Sequence, residues 1–333
     1  MKEGVHRSKH PWLVGLCMVA IAVAYFSLLG QSGFQEPGDQ IRYDVSSFRD
    51  LDHIETRFVE TGIIEPGIDK PKAMCVGEDG KIYVAGENEL VVYGPEDKEL
   101  VRFEIKASPI CMTVAEDGTL FMGYNDHIEL LDASGTVQAV WDSVSEQPYL
   151  TSIAVSDEEV YVADAGNKVV LQYNRDGQLL SRIGKKDLKN DIPGIEVPSP
   201  YLDLAINPDG DLWVVNPGLL GMERYRNDSS LVTSWYRASF QLDGFSGCCN
   251  PTHIAFMNDG KLITAEKGLV RIKIYDVTSG EYQELVAGSR EFPREQSLKD
   301  IAVDKKNRIL ALDPRNNAVR VFELKEAGDE KRT

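Results

Sequence analysis

The sequence predicts an all-β fold, a six-bladed β-propeller, preceded by one N-terminal transmembrane helix. Two observations indicate the propeller. Six strand–turn–strand repeats follow one another at a period of about 40–50 residues, and each repeat continues into a third strand. A third observation, an uncharged apolar run near the N-terminus, indicates the transmembrane helix. Six aligned copies argue against the alternative, a sandwich of unrelated hairpins.

Each repeat joins an apolar strand to a second strand rich in β-branched and aromatic residues, as in MCVGEDGKIYVAG and LAINPDGDLWVVN. Asp-Gly between two such strands predicts a tight hairpin, because both residues tolerate a positive φ. The sixth repeat has Asn307 in place of the glycine, and the third repeat lacks it. The turn positions of the six repeats are Asp79, Asp117, Glu158, Asp209, Asp259 and Lys306.

The sixth repeat lacks a fourth strand of its own. Residues 53–62, HIETRFVETG, precede the first repeat and read as a spare strand. Pairing this strand with the last blade would close the ring and remove two exposed sheet edges. The predicted propeller therefore spans 53–326, followed by a charged tail at 327–333.

The N-terminal segments differ from the repeats. Residues 11–30 carry no charge and are about as long as a bilayer-spanning helix. Residues 1–10 contain three Lys or Arg residues, which predicts a cytoplasmic tail. Residues 31–52 read as a polar linker. We expect a single-pass membrane protein with the propeller on the extracytoplasmic side, periplasmic or extracellular; a cleaved signal peptide is the alternative.

The charge balance limits the choice of partner. The formal net charge is −17, and no cluster of Lys and Arg stands out. Binding to nucleic acid requires such clusters, so we expect no nucleic-acid partner. The remaining classes are a protein, a peptide or a glycan.

Two stretches resemble the NHL-repeat propellers. DAGNKVVLQY and DPRNNAVRVF both carry an Asp-x-x-Asn turn followed by a Val-rich strand. The resemblance implies six blades and covers about residues 53–325. It implies little about function, because that family includes protein-binding modules, RNA-binding modules and a peptidyl-hydroxyglycine amidating lyase.

Propeller geometry places the longest connections on one face of the disc. The connections between blades share a face with the loops between second and third strands, and the Asp-Gly hairpins lie on the other. Long connections at 189–201, 239–253 and 287–297 enter blades four, five and six. Long loops on a rigid scaffold often carry binding residues. The predicted binding residues are Asp164, Asn216, Cys248, Cys249, Asn250, Glu266, Lys267, Asp313 and Arg315.

The residues that begin the first strands predict a ring around the central channel. Three adjacent blades contribute Asp203, His253 and Asp300 to this ring. Two carboxylates and an imidazole suit a divalent cation such as Zn²⁺, Ca²⁺ or Mn²⁺. The alternative is structural, because aspartate at such a position also caps loop N–H groups.

The stretch GFSGCCNPTH contains adjacent cysteines, Cys248 and Cys249. A disulfide is the favoured interpretation, either between these two or from one of them to Cys75 or Cys111. A soft-metal site and free thiols are the alternatives. Arg271 and Lys273, which alternate on a third strand, read as one solvated face.

These patterns leave three functions open. The first is a binding or scaffolding module that uses the face of the long loops. The second is a metal-dependent lyase or hydrolase built around Asp203, His253 and Asp300, with Glu266 beside them. The third is a redox or metal-handling role for Cys248 and Cys249.

Overall fold

The computed structural model describes residues 46–51, 53–142, 144, 146–190, 192–294 and 297–325. A short helix, α1 (Ser46–Arg49), is followed by strands that form six four-stranded antiparallel sheets. Blade 1 contains β2 (Ala73–Val76), β3 (Ile82–Ala85), β4 (Glu89–Tyr93) and β5 (Glu99–Glu104). Blade 2 contains β6 (Cys111–Val114), β7 (Leu120–Gly123), β8 (His127–Leu131) and β9 (Val137–Asp142).

The next three blades repeat this up-and-down order. Blade 3 contains β10 (Leu150–Val155), β11 (Glu159–Asp164), β12 (Val169–Asn174) and β13 (Leu179–Ile183). Blade 4 contains β14 (Leu204–Ile206), β15 (Leu212–Asn216), β16 (Gly221–Tyr225) and β17 (Leu231–Tyr236). Blade 5 contains β18 (His253–Phe256), β19 (Leu262–Ala265), β20 (Ile272–Tyr275) and β21 (Tyr282–Ala287).

Blade 6 takes its outer strand from the other end of the propeller. It contains β22 (Asp300–Val303), β23 (Ile309–Asp313), β24 (Ala318–Leu324) and β1 (Phe58–Ile64). Strand β1 pairs antiparallel with β24, from Phe58 opposite Leu324 to Ile64 opposite Val319. The predicted closure is therefore confirmed. The closing strand spans Phe58–Ile64, whereas the sequence predicted 53–62.

The hydrophobic core lies between neighbouring blades. The middle strands β15 and β23 are buried at every position because a blade covers each of their faces. Phe58 of the closing strand is buried in one such layer, together with Phe322 and residues of blade 5. Closure of the ring thus buries apolar surface as well as pairing the sheet edge.

The hairpin turns follow the predicted chemistry. Gly80 adopts φ 76°, and Asn307, which replaces glycine in the sixth repeat, adopts φ 61°. Glycine and asparagine are the residues that reach this left-handed region most easily. These hairpins define the lower face of the disc. The connections between blades and the loops between second and third strands define the upper face.

Several predictions concern residues outside the described part of the chain. The tail at 1–10, the membrane helix at 11–30 and the charged tail at 327–333 belong to this group. Within the described residues, no helix is long and apolar enough to cross a membrane. The end of the predicted linker at 31–52 forms α1.

Candidate ligand-binding face

The connection from blade 4 to blade 5, residues 237–252, is fixed to the propeller along its length. Phe245 is fully buried, and its ring centroid lies 5.3 Å from that of Tyr275 and 6.1 Å from that of Trp235. Its amide donates to the carbonyl of Arg237 at 2.7 Å, which closes the loop on itself. This aromatic anchor lets a long surface connection adopt one defined conformation.

A buried ionic cluster lies under this connection. Glu266 and Lys273 are fully buried and pair at 2.8 Å between Oε1 and Nζ. Arg271 beside them is 1% exposed. The prediction of a solvated face for Arg271 and Lys273 is therefore wrong. The connection from blade 4 to blade 5 folds over both side chains, which hydrogen-bond its carbonyls.

Lys273 holds the connection through backbone carbonyls. Its Nζ donates to Gly244 O at 2.5 Å and to Leu242 O at 3.2 Å. The same ammonium lies 4.7 Å from the centroid of the Phe245 ring. Burial lowers the pKa of Lys273, and the Glu266 carboxylate opposes that shift. Removing one partner of such a pair typically costs about 3–5 kcal/mol, because a buried charge is left alone.

Arg271 ties together two segments that are distant in sequence. Its Nη1 donates to Phe240 O at 2.9 Å and to Gln241 O at 3.3 Å. Its Nη2 donates to Phe48 O at 2.6 Å. Phe48 lies in α1, in the segment that precedes the propeller. Helix α1 is thereby attached to the upper rim of blade 5.

Asn250 completes the attachment. Its Nδ2 donates to Ser246 O at 2.7 Å and to Lys267 O at 3.2 Å, and its Oδ1 accepts the Lys267 amide at 2.9 Å. The following peptide bond, Asn250-Pro251, is cis. The structure thus brings together the predicted binding residues Asn250, Lys267 and Glu266.

The adjacent cysteines are thiols in the structure. Cys248 is exposed and Cys249 is fully buried, and their sulfur atoms lie 3.3 Å apart. A disulfide bond would place them about 2.05 Å apart. Cys75 and Cys111 are also free and buried, and burial raises the pKa of both well above the usual value. The favoured disulfide is therefore absent from this structure.

A lysine and a serine extend the cysteine pair into a polar cluster. Ser199 donates from Oγ to Cys249 Sγ at 2.8 Å, and Lys267 donates from Nζ to Ser199 Oγ at 3.0 Å. Lys267 Nζ also lies 4.3 Å from the centroid of the Tyr201 ring. We call Ser199, Tyr201, Cys248, Cys249 and Lys267 the thiol–lysine cluster. Burial raises the pKa of Cys249, so its thiol is not poised as a nucleophile.

The two ring aspartates join neighbouring blades. Asp203 Oδ2 accepts the amide of Ile254 in the next blade at 2.7 Å. Asp300 Oδ2 accepts the amide of Met74, across the seam between blades 6 and 1, at 3.0 Å. In these bonds each aspartate caps a backbone N–H group. Capping was the alternative to metal binding that the sequence left open.

His253 lies between the two aspartate positions. Its Nδ1 is 3.9 Å from Asp203 Oδ2, and its buried Nε2 has no hydrogen-bond partner among the described residues. Burial lowers the pKa of His253 to about 4 and raises that of Asp203 to about 6. Burial also raises the pKa of Asp300 well above its usual value. The imidazole is therefore neutral at pH 7.

Across the described part of the chain, no group of three or more His, Cys, Asp and Glu residues could hold a metal ion. The metal set of Asp203, His253 and Asp300 stays a prediction.

Three other predicted binding residues support the upper-face loops from below. Asp164 Oδ1 accepts the Tyr149 amide at 3.1 Å, and Asn216 Oδ1 accepts the Glu196 amide at 3.0 Å. Asp313 caps its own loop, and all three side chains are fully buried. Arg315, in contrast, is exposed on the upper face.

No motif in the sequence singles out Ser199 or Tyr201. Their connection, 189–201, was predicted to be a binding loop because of its length. Their contacts join three segments that lie far apart in sequence, and a single sequence does not reveal such a junction.

The exposure of the cysteines predicts a difference in their reactivity. Iodoacetamide added to the native protein should alkylate Cys248 at least tenfold faster than Cys249, because only the first is open to solvent. Peptide mapping by mass spectrometry, with and without prior reduction, measures both rates. Alkylation of neither cysteine until a reductant is added would contradict the thiol assignment.

Comparison with known proteins adds support for the fold. No protein-family model matches this chain, and no curated protein matches it. A streptogramin B lyase structure is 13% identical, with a TM-score of 0.59 over 80% of this chain and 98% of that chain.

Two further solved structures have the same architecture. A catalytically inactive variant of virginiamycin B lyase from Staphylococcus aureus, with quinupristin, is 16% identical, with a TM-score of 0.52. The match covers 80% of this chain and 88% of that one. A Bacteroides thetaiotaomicron protein of unknown function is 12% identical, with a TM-score of 0.57 over 76% of this chain and 69% of that one. Likeness at this level of identity establishes the six-bladed propeller; no family model confirms the NHL assignment.

Proposed function

We propose that this chain is a membrane-anchored, extracytoplasmic binding module whose upper face holds a protein, peptide or glycan ligand. The observation that supports this most is the buried ion pair between Lys273 and Glu266. Lys273 of this pair hydrogen-bonds two carbonyls of the connection from blade 4 to blade 5. Here the pair fixes a long loop that presents Cys248 and packs against Lys267.

Fixing the loop before a ligand arrives favours binding. Ordering a loop costs about 1–2 kcal/mol per residue, and a loop that is already ordered does not impose this cost on association. The hydrogen bonds of Lys273 to Leu242 and Gly244 provide that order within the fold. The exposed residues of the loop then meet a ligand in a fixed geometry.

Lys267 is the side chain in this cluster most suited to direct contact. It is half-buried, and among the described residues it is hydrogen-bonded to a neutral hydroxyl, Ser199, rather than to a carboxylate. Its charge is therefore available to a ligand. Tyr201 beneath it supplies an aromatic surface, which suits either a peptide side chain or a sugar ring.

The alternative is a metal-dependent lyase or hydrolase around Asp203, His253 and Asp300. The fold is shared with lyases, but both carboxylates already accept backbone amides from two blades. Those bonds explain the aspartates without a reaction. Binding by the upper face is therefore the better-supported proposal.

Substitution of Lys267 tests the binding proposal. Ligands are selected by screening the full-length protein against arrays of peptides and glycans, and their affinities are measured by calorimetry. Lys267→Met should weaken binding about 10- to 100-fold, the effect of losing one charge-assisted hydrogen bond.

The matched control is Lys261→Met, on the lower face of the same blade, where Lys261 pairs with Asp259. This variant should bind as the wild type does. Equal affinities of the wild type and Lys267→Met for every selected ligand would refute the proposal.

Carbonate extraction of membranes tests the proposed anchor. The full-length chain should stay in the membrane pellet, because its charge-free segment at 11–30 is long enough to span the bilayer. A chain that begins at residue 31 should be extracted. Extraction of both chains would contradict an anchor.

A further inference from the structure

The upper face carries a second feature that the thiol–lysine cluster does not include. A pocket of about 60 Å³ lies between α1, the loop from β19 to β20 and the connection into blade 6. Phe48, Leu269 and Phe292 form part of its apolar wall. Arg49 and Arg294 also line it, so a small apolar space is bordered by basic groups.

Two buried cations lie under this pocket and share one buried carboxylate. The buried ionic cluster contains two cations, Arg271 and Lys273, and one carboxylate, Glu266. Glu266 pairs with Lys273 at 2.8 Å, whereas the hydrogen bonds of Arg271 all go to backbone carbonyls. Glu266 also attracts Arg271 electrostatically, so the two buried cations share this one buried carboxylate.

Arg271 also has an unused donor at this place. It is 1% exposed and lines the pocket, and its buried Nε has no hydrogen-bond partner among the described residues. A buried donor without a partner costs about 1–3 kcal/mol. An anion that entered the pocket would add a second counter-charge close to the Arg271 guanidinium.

We propose that this pocket binds a carboxylate carried on a small apolar group. A guanidinium matches the planar geometry of a carboxylate, and the exposed Arg294 borders the space. The apolar wall suits the carbon part of the ligand. A volume of about 60 Å³ limits the ligand to a carboxylate with a few carbons.

This site goes beyond the proposed function, which assigns no ligand to this pocket. The two features share one loop, because Gly268 of the pocket follows Lys267 of the cluster. Two kinds of molecule carry such a carboxylate: a free short-chain acid, and a peptide whose C-terminal residue is small and apolar.

Calorimetry on the full-length protein with defined probes tests the proposal and separates the sources. The probes are butanoate, 1-butanol, and the tetrapeptide Gly-Gly-Ala-Val with a free or an amidated C-terminus. We expect butanoate to bind at least tenfold more tightly than butanol. If the free-acid peptide also binds and its amide binds at least tenfold more weakly, the site accepts a C-terminus; if only butanoate binds, it takes free acids.

Variants at Arg294 connect the binding to this pocket. Arg294 is exposed, so Arg294→Gln should fold and should weaken carboxylate binding at least tenfold. Arg226→Gln, at an exposed arginine on the lower face, should leave that binding unchanged. Equal binding of the acid probes and their neutral counterparts, no binding of either acid probe, or full affinity in Arg294→Gln would overturn the proposal.

Lys267→Met separates this inference from the proposed function. That variant should lose the ligands selected on the arrays and keep its affinity for butanoate. Loss of butanoate binding in Lys267→Met with full binding in Arg294→Gln would place the carboxylate in the thiol–lysine cluster and overturn the pocket.

Discussion

The candidate binding face depends on the ion pair between Lys273 and Glu266. Both side chains are fully buried, and their charges compensate one another at 2.8 Å. Lys273 uses its remaining donors on carbonyls of the connection from blade 4 to blade 5. A buried ion pair adds little net stability compared with an apolar core, but it specifies one arrangement of the groups around it. Here the specified element is the loop that carries Cys248 and Cys249.

A second set of polar groups fixes the blades relative to one another. Asp203 and Asp300 each accept an amide from the following blade, the latter across the seam that β1 and β24 close. A propeller blade buries its apolar surface mainly against its two neighbours, so such bonds set the alignment of adjacent sheets. The loops of the upper face are therefore mounted on blades that are themselves held in register.

The sequence predicted the fold well because the fold is local and repeated. Asp-Gly turns and alternating apolar strands act within a few residues, and six copies make the pattern unambiguous. The closing strand could be predicted because the sixth repeat lacks a fourth strand and one spare strand precedes the first repeat. The location of long connections on one face also followed from propeller topology.

The side-chain chemistry was less predictable because it arises between distant segments. Arg271 and Lys273 alternate as exposed residues do, and nothing near them in sequence shows that residues 240–245 fold over them. The contact of Ser199 with Cys249 joins two different inter-blade connections. The sequence predicted that Asp203 lies in the ring. It did not decide between capping and metal binding, because capping depends on the Ile254 amide of the next blade.

Hydrogen exchange measured by NMR tests the central claim most directly. The Phe245 amide, bonded to Arg237 O, should exchange about as slowly in the wild type as amides in the strands of blade 5. In Lys273→Met it should exchange at least 100-fold faster, while the amides of blade 2 stay protected and show that the propeller is folded. If Phe245 exchanges at the same rate in both proteins, the ion pair does not hold the loop and the account of the binding face is wrong.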